Sequence, residues 1–206
     1  MQQVSLHPEA GIFCPKIYFY NMPNIIWFAG GYIDWKYDGA HIGYGKIDNS
    51  SYDSPLVSDY VTGCAMLIKR EVIEKIGLLD ASFFAYQEDV DLCIRAHKAG
   101  YECMYIPYPH VWHKAGATSK KHERMSPFHR YLGTRNKLAL VKKNFGIFWL
   151  MDALFRELFI VTPVYIILYL SRWHFDLIPA QFQGIIDGVR GKNKYLNKDF
   201  NDHEQA

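Results

Sequence analysis

Over the first sixty residues, short apolar and β-prone runs alternate with breakers. Ile12 to Tyr20 and Ile25 to Phe28 are followed by Gly30-Gly31, Asp38-Gly39 and Asp48-Asn49-Ser50. Such punctuation predicts strands joined by loops. The run from Tyr60 to Lys69 is apolar enough for a buried strand. Arg70 to Ile76 then follows helical spacing up to Gly77, which suits the residue after a helix end. Ala81 to Tyr86 leads into a second helix starting near Gln87 to Asp89, because Val90, Cys93, Ile94 and His97 recur at helical spacing and share one face. Gly100 ends it. Tyr101 to Ile106 predicts another strand, stopped by Pro107 and Pro109, and Tyr131 to Lys143 a basic helix. Strands and helices in this order predict the α/β class.

From Phe145 to Leu170 the chain is largely apolar but carries Asp152, Arg156 and Glu157, with Pro163 further on. A membrane span needs about 20 apolar residues, and the charge-free part between Glu157 and Arg172 falls short of that. The pattern fits an amphipathic helix lying in the membrane interface, or equally a helical hairpin packed on the preceding domain. Arg190, Lys192, Lys194 and Lys198 would add attraction to anionic lipid. Half of the 206 residues are apolar, enough for one well-buried core with an appendage. The net charge of +2 is unevenly spread, since Lys114 to Lys143 holds nine Lys or Arg against one Glu. Such a field suits phosphate-bearing ligands or anionic headgroups, and equally a solvated basic face. No nucleic-acid-binding motif accompanies the charge, so nucleic acid is not expected as a partner. Cys14, Cys64, Cys93 and Cys103 lack zinc-site or CxxC spacing, which predicts buried free thiols in a reducing cytoplasm. The opening MQQVSLHPEAG has no secretory-signal pattern.

Glu88, Asp89 and Asp91 cluster at the start of the predicted second helix, where the positive end of the macrodipole favours acids. Capping accounts for such acids as well as catalysis does. The context adds to them: Phe83, Phe84 and Tyr86 precede, and a strand-plus-histidine element from Tyr105 to His113 follows. In order, the chain reads Val61-Thr62-Gly63-Cys64-Ala65, then Lys69 to Asp80, then Phe83, Phe84, Tyr86, Glu88, Asp89 and Asp91. Arg95 to Tyr101, Tyr105, Pro107, His113 and Arg135-Asn136 come next. This series resembles the family 2 glycosyltransferases, particularly the rhamnosyltransferase-like bacterial members that build surface polysaccharides. Trp27, Gly30-Gly31, Gly39, His41, Gly43, Gly45, Asp48 and Tyr52-Asp53 resemble that group's acceptor-side insert, so the resemblance covers residues 11 to 143.

The resemblance implies an inverting transfer of sugar from a nucleotide-sugar donor to a glycan or lipid-linked acceptor. Asp89 would be the general base, Glu88 would orient the acceptor or shape the helix start, and Asp91 would be a structural cap. His113 corresponds to a histidine that helps bind a divalent metal. Arg135 and Asn136, with Lys120, Lys121 and Arg124, would meet the donor diphosphate or be solvated. The expected architecture is a partial A-type glycosyltransferase domain over residues 1–143, followed over residues 144–206 by a helical membrane-associating tail. The protein would be peripheral, at the cytoplasmic membrane face. The N-terminal βαβ region and the DxD-like acidic element of a complete enzyme are not found, Asp34 and Asp48 being isolated in loops. The expectation is therefore a truncated or split form, inactive by itself, with Mg²⁺ or Mn²⁺ bound only alongside the complete donor-binding half. The alternative is a non-catalytic remnant acting as a membrane-associated glycan-binding or interaction module. No oligomeric state is indicated.

Overall fold

The computed structural model describes residues 2–114 and 125–196. Strand β1 (Ala10–Phe19) is buried along almost its whole length, as a strand covered on both faces must be. It runs antiparallel to β2 (Met22–Phe28) and to the two-residue β6 (Leu67–Ile68), and parallel to β7 (Glu102–His113). The other edge of β7 takes β5 (Leu56–Ser58), while β3 (Gly31–Ile33) and β4 (Gly39–His41) form a separate pair. The short helix α2 (Arg70–Ile76) ends at Gly77, whose φ of 78° lets its N–H close on Ile73 O. Helix α3 (Glu88–Lys98) follows, its buried Val90, Cys93 and Ile94 on the expected face. A mixed sheet with helices is the α/β class.

Two elements differ from the pattern-based expectation. Tyr60 to Lys69 is not one strand: Gly63–Ala65 is a 3₁₀ turn and only Leu67–Ile68 joins the sheet. The N–H of Val61 goes to Cys93 Sγ at 3.4 Å and that of Gly63 to the Asp89 carboxylate at 2.9 Å. Side chains of α3 thus take the place of ladder partners. Conversely, β7 does not stop at its prolines. Pro15 of β1 faces Ile106 and Lys16 faces His110, so Pro107, Tyr108 and Pro109 stand out of that ladder, where a missing N–H leaves no bond unmade.

The rest of the chain is helical: α4 (Pro127–Asn144), α5 (Ile147–Arg156), α6 (Thr162–Ser171) and α7 (Leu177–Arg190). Ser126 caps α4 by accepting from His129 N–H, with Pro127 in the first turn. A π turn, Glu157–Val161, joins α5 to α6, and Thr162 N–H donates to Glu157 O across it. The widened turn accommodates Pro163, whose ring would otherwise clash with the carbonyl four residues back. Residues Ile147–Ser171 therefore form one 25-residue helix, not a hairpin, with an 18-residue stretch of mean hydropathy 1.8, and by length and composition alone it could cross a membrane. On α7, a Cβ on Gly184 would sit 2.8 Å from Tyr131 O and one on Gly188 2.7 Å from Arg135 O, so these two glycines let α7 lie directly on the α4 backbone.

The chain forms two compact units. One holds the sheets, α2 and α3 from Asp89 onward; the other holds Asp80–Glu88 with α4 to α7. The divide differs from the expected boundary at 143, because close packing against α7 groups α4 with the helices that follow it.

Candidate functional site

In the sheet-containing unit the chemistry gathers around Asp89, in the first turn of α3. Its Oδ2 accepts from Gly63 N–H at 2.9 Å and its Oδ1 from Val90 N–H at 2.9 Å. Burial raises its pKa from the ordinary 3.8, against the pull of those N–H groups and of His41. A half-buried carboxylate held in one orientation, with its proton affinity raised, has the attributes of a general base.

His41, at the end of β4, donates from Nδ1 to Trp27 O at 2.9 Å. A carbonyl can only accept, so Nδ1 carries the proton in the neutral ring and Nε2 keeps its lone pair. His113, the last residue of β7, lies with its ring centroid 4.7 Å from Trp27, and His41 approaches the same indole at 4.4 Å. Burial lowers the pKa of both histidines, so both are neutral at pH 7. A neutral imidazole is the metal-ligating form. Among the described residues, however, no group of three or more His, Cys, Asp and Glu is placed to hold an ion, so His113 does not by itself make a metal centre. Asp91 is fully buried and pairs with Arg95 at 2.8 Å, while Arg95 also donates to Ile76 O and Leu78 O. Its role is structural, through that ion pair.

Arg135 and Asn136 were expected either to meet a diphosphate or to be solvated, and the helical unit instead bonds them to its own backbone. Arg135 is 2% exposed; its Nε donates to Lys192 O at 2.7 Å and its Nη1 to Ser82 O at 2.9 Å. Asn136 is fully buried, and its Nδ2 lies within 2.9 Å of the carbonyl oxygens of Phe83, Ala85 and Tyr86. Both side chains are committed to the backbone leading to Glu88. Carbonyl partners some fifty residues away leave no trace in local spacing, which is why a basic helix read as a ligand face. Lys120, Lys121 and Arg124 lie outside the described residues. His41 is the residue whose link to Asp89 sequence spacing did not disclose, being far from it along the chain.

The model of the glycosyltransferase like family 2 matches residues 39–126, a stretch that contains His41, Gly63, Glu88, Asp89 and His113. The chain is similar to the rhamnosyltransferase WbbL of Escherichia coli K12, 36% identical over 70 residues, which are 34% of this chain and 26% of that protein. It is similar also to the N-acetylglucosaminyl-diphospho-decaprenol L-rhamnosyltransferase of Mycobacterium tuberculosis, 37% identical over 62 residues, or 30% and 20% of the two chains. The dTDP-rhamnosyl transferase RfbF of Shigella flexneri is 24% identical over 151 residues, 71% of this chain and 50% of that one. The class that the matched segment resembles is thus that of the family 2 glycosyltransferases. Among the relatives it is similar to are rhamnosyltransferases. The matches span between a fifth and half of these relatives' own lengths.

Proposed function

We propose that this chain provides the acceptor-side chemistry of an inverting transferase that moves a sugar, of the rhamnosyl class, from a nucleotide-sugar to a glycan or lipid-linked acceptor in surface polysaccharide synthesis. The observation that carries the reading is the Asp89 carboxylate, oriented by two backbone N–H groups and raised in pKa by burial, inside the segment that matches the family. In the reaction the acceptor hydroxyl oxygen bonds to the anomeric carbon as the bond from that carbon to the diphosphate breaks. The hydroxyl proton goes to Asp89, and nucleoside diphosphate leaves. Glu88, the first residue of α3, orients the acceptor. His113 is proposed as one ligand of a Mg²⁺ or Mn²⁺ ion whose remaining ligands, with most donor contacts, come from outside the described residues. Turnover then requires those parts, and residues 145–190 keep the protein at the cytoplasmic membrane face.

The test is kinetic, in a preparation of the complete enzyme that transfers sugar. Asp89→Asn should lower kcat by about 10² or more, the usual worth of a positioned acid-base group, and Glu88→Gln should cost less. Because the base must be ionised, kcat/KM in the parent should rise with pH through an apparent pKa above 3.8. Activity of Asp89→Asn within about twofold of the parent would remove Asp89 from the mechanism, since a base is worth far more than that.

A further inference from the structure

Between Phe83 and Glu88 the backbone takes a course its sequence does not favour. Phe84, Tyr86 and Gln87 have φ values of 67°, 69° and 72°, a region that residues carrying a Cβ enter at a cost. Phe84, with ψ of −58°, is the centre of a three-residue turn in which Ala85 N–H donates to Phe83 O at 2.9 Å, the rarer and strained form of such turns. None of these residues is glycine, so their surroundings must hold the conformation. The restraint is visible in α4. The Nδ2 of Asn136 lies 2.9 Å from Phe83 O, 2.7 Å from Ala85 O and 2.9 Å from Tyr86 O. The left-handed residues turn these carbonyls toward one amide. Arg135 Nη1 donates to Asn136 Oδ1 at 2.8 Å, which orients that amide, and to Ser82 O. Asn193 Nδ2 adds a bond to Ser82 O at 3.1 Å.

We propose that Asn136, oriented by Arg135, is a positioning residue for the start of α3: it imposes the left-handed backbone of residues 84–87 and thereby fixes how Glu88, the first residue of that helix, is presented. Its importance for catalysis rests on the role proposed above for Glu88, whereas the restraint itself does not. It also explains why an arginine and an asparagine stand together on a helix with their side chains turned to backbone carbonyls.

The test is amide hydrogen exchange on the whole chain. Asn136→Ala should speed exchange at residues 84–89 by about tenfold or more, the population change that releasing a strained segment brings, while amides within α4 and α7 keep their protection. Adding Gln87→Gly, which makes a positive φ inexpensive, should recover part of that protection. If Asn136→Ala does not fold, Asn136→Asp, which keeps the volume and loses the donor, is read in the same way. In the transferring preparation, Asn136→Ala should lower kcat with little change in KM, and Gln87→Gly should restore part of it. Unchanged exchange at 84–89 overturns the restraint, and raised exchange with kcat untouched overturns the positioning role. Full activity of Asp89→Asn beside raised exchange in Asn136→Ala would instead sink the choice of base and leave the restraint standing.

Discussion

Two histidines of the sheet-containing unit show how neighbours, not residue type, set a charge state. His41, half-buried and bonded to Trp27 O, is held neutral. His97 is the opposite case: its Nε2 donates to Ser58 O and Asp59 O, both at 3.1 Å, and its hydrogen bond to Cys103 is the chief cause of a pKa raised to about 9. A histidine whose folded pKa lies above its unfolded value of 6.5 adds stability that is fully present below 6.5 and is lost as pH rises through about 9. Denaturant unfolding of the parent and of His97→Gln should show this directly. The gap between them should be widest at pH 6, shrink through pH 8 and be smallest near pH 10; a gap independent of pH would mean that His97 acts through shape alone. At this scale the sequence marked Asp89 as a candidate, because acids at a helix start after an aromatic run make a local signal, and Asp89 does lie in the first turn of α3. It did not disclose the states of His41 and His97, whose partners are backbone carbonyls elsewhere in the chain.

Helix Ile147–Ser171 combines an apolar surface with a charged residue turned inward. Glu157 is buried, ion-paired with the buried Lys137 of α4, and its other oxygen accepts from Gln181 Nε2 at 2.6 Å. Gln181 in turn donates to Thr162 at 2.7 Å and accepts from Thr134 at 2.9 Å, so the polar contacts run from α4 through the π turn to α7. Removing one partner of such a pair leaves a desolvated charge, whereas removing both does not. Lys137→Met should therefore cost about 3–5 kcal/mol in denaturant unfolding, and adding Glu157→Leu should return much of that. If the double variant were as unstable as the sum of the two single ones, the ion pair would not be the reason for the loss. The charges at Asp152, Arg156 and Glu157 were legible as interruptions of an apolar run. Their separate roles were not: Asp152 and Arg156 bond each other at 2.6 Å on a partly exposed face, while Glu157 reaches a lysine twenty residues back.

For the whole molecule, the surface that asks for an explanation lies along the same helix. Phe148 is 84% exposed, Phe159 68% and Ile167 67%, with Trp149 and Trp173 also exposed near its two ends. An apolar face of this extent marks an interaction site. The polar contacts of Glu157 and Thr162 are spent on neighbouring helices, and the apolar face left outward is what the proposed membrane-interface position rests on. We expect carbonate or high-salt washing of cell membranes to release much of the protein, and Phe148→Glu with Phe159→Glu to shift more of it into the soluble fraction. Protein that resists both washes and needs detergent would show instead that the 25-residue helix spans the bilayer.

The sequence by itself determined whatever rests on neighbours along the chain: the presence of β1, β2, α2, α3 and α4, the glycine stop at Gly77, and the ordered motif text that resembles the family. Tertiary structure decided the rest. Whether Tyr60 to Lys69 pairs as a strand depended on donors that Cys93 and Asp89 capture from 32 and 26 residues away. Whether β7 could run through Pro107 and Pro109 depended on where the β1 ladder skips. Whether Arg135 and Asn136 face a ligand or a backbone depended on carbonyls more than fifty residues distant that a strained turn brings to them. The physical reason is common to all three. Local periodicity encodes which face of an element is buried, but a buried polar group must find its partner wherever the fold places one, and that choice exists only once the chain has closed on itself.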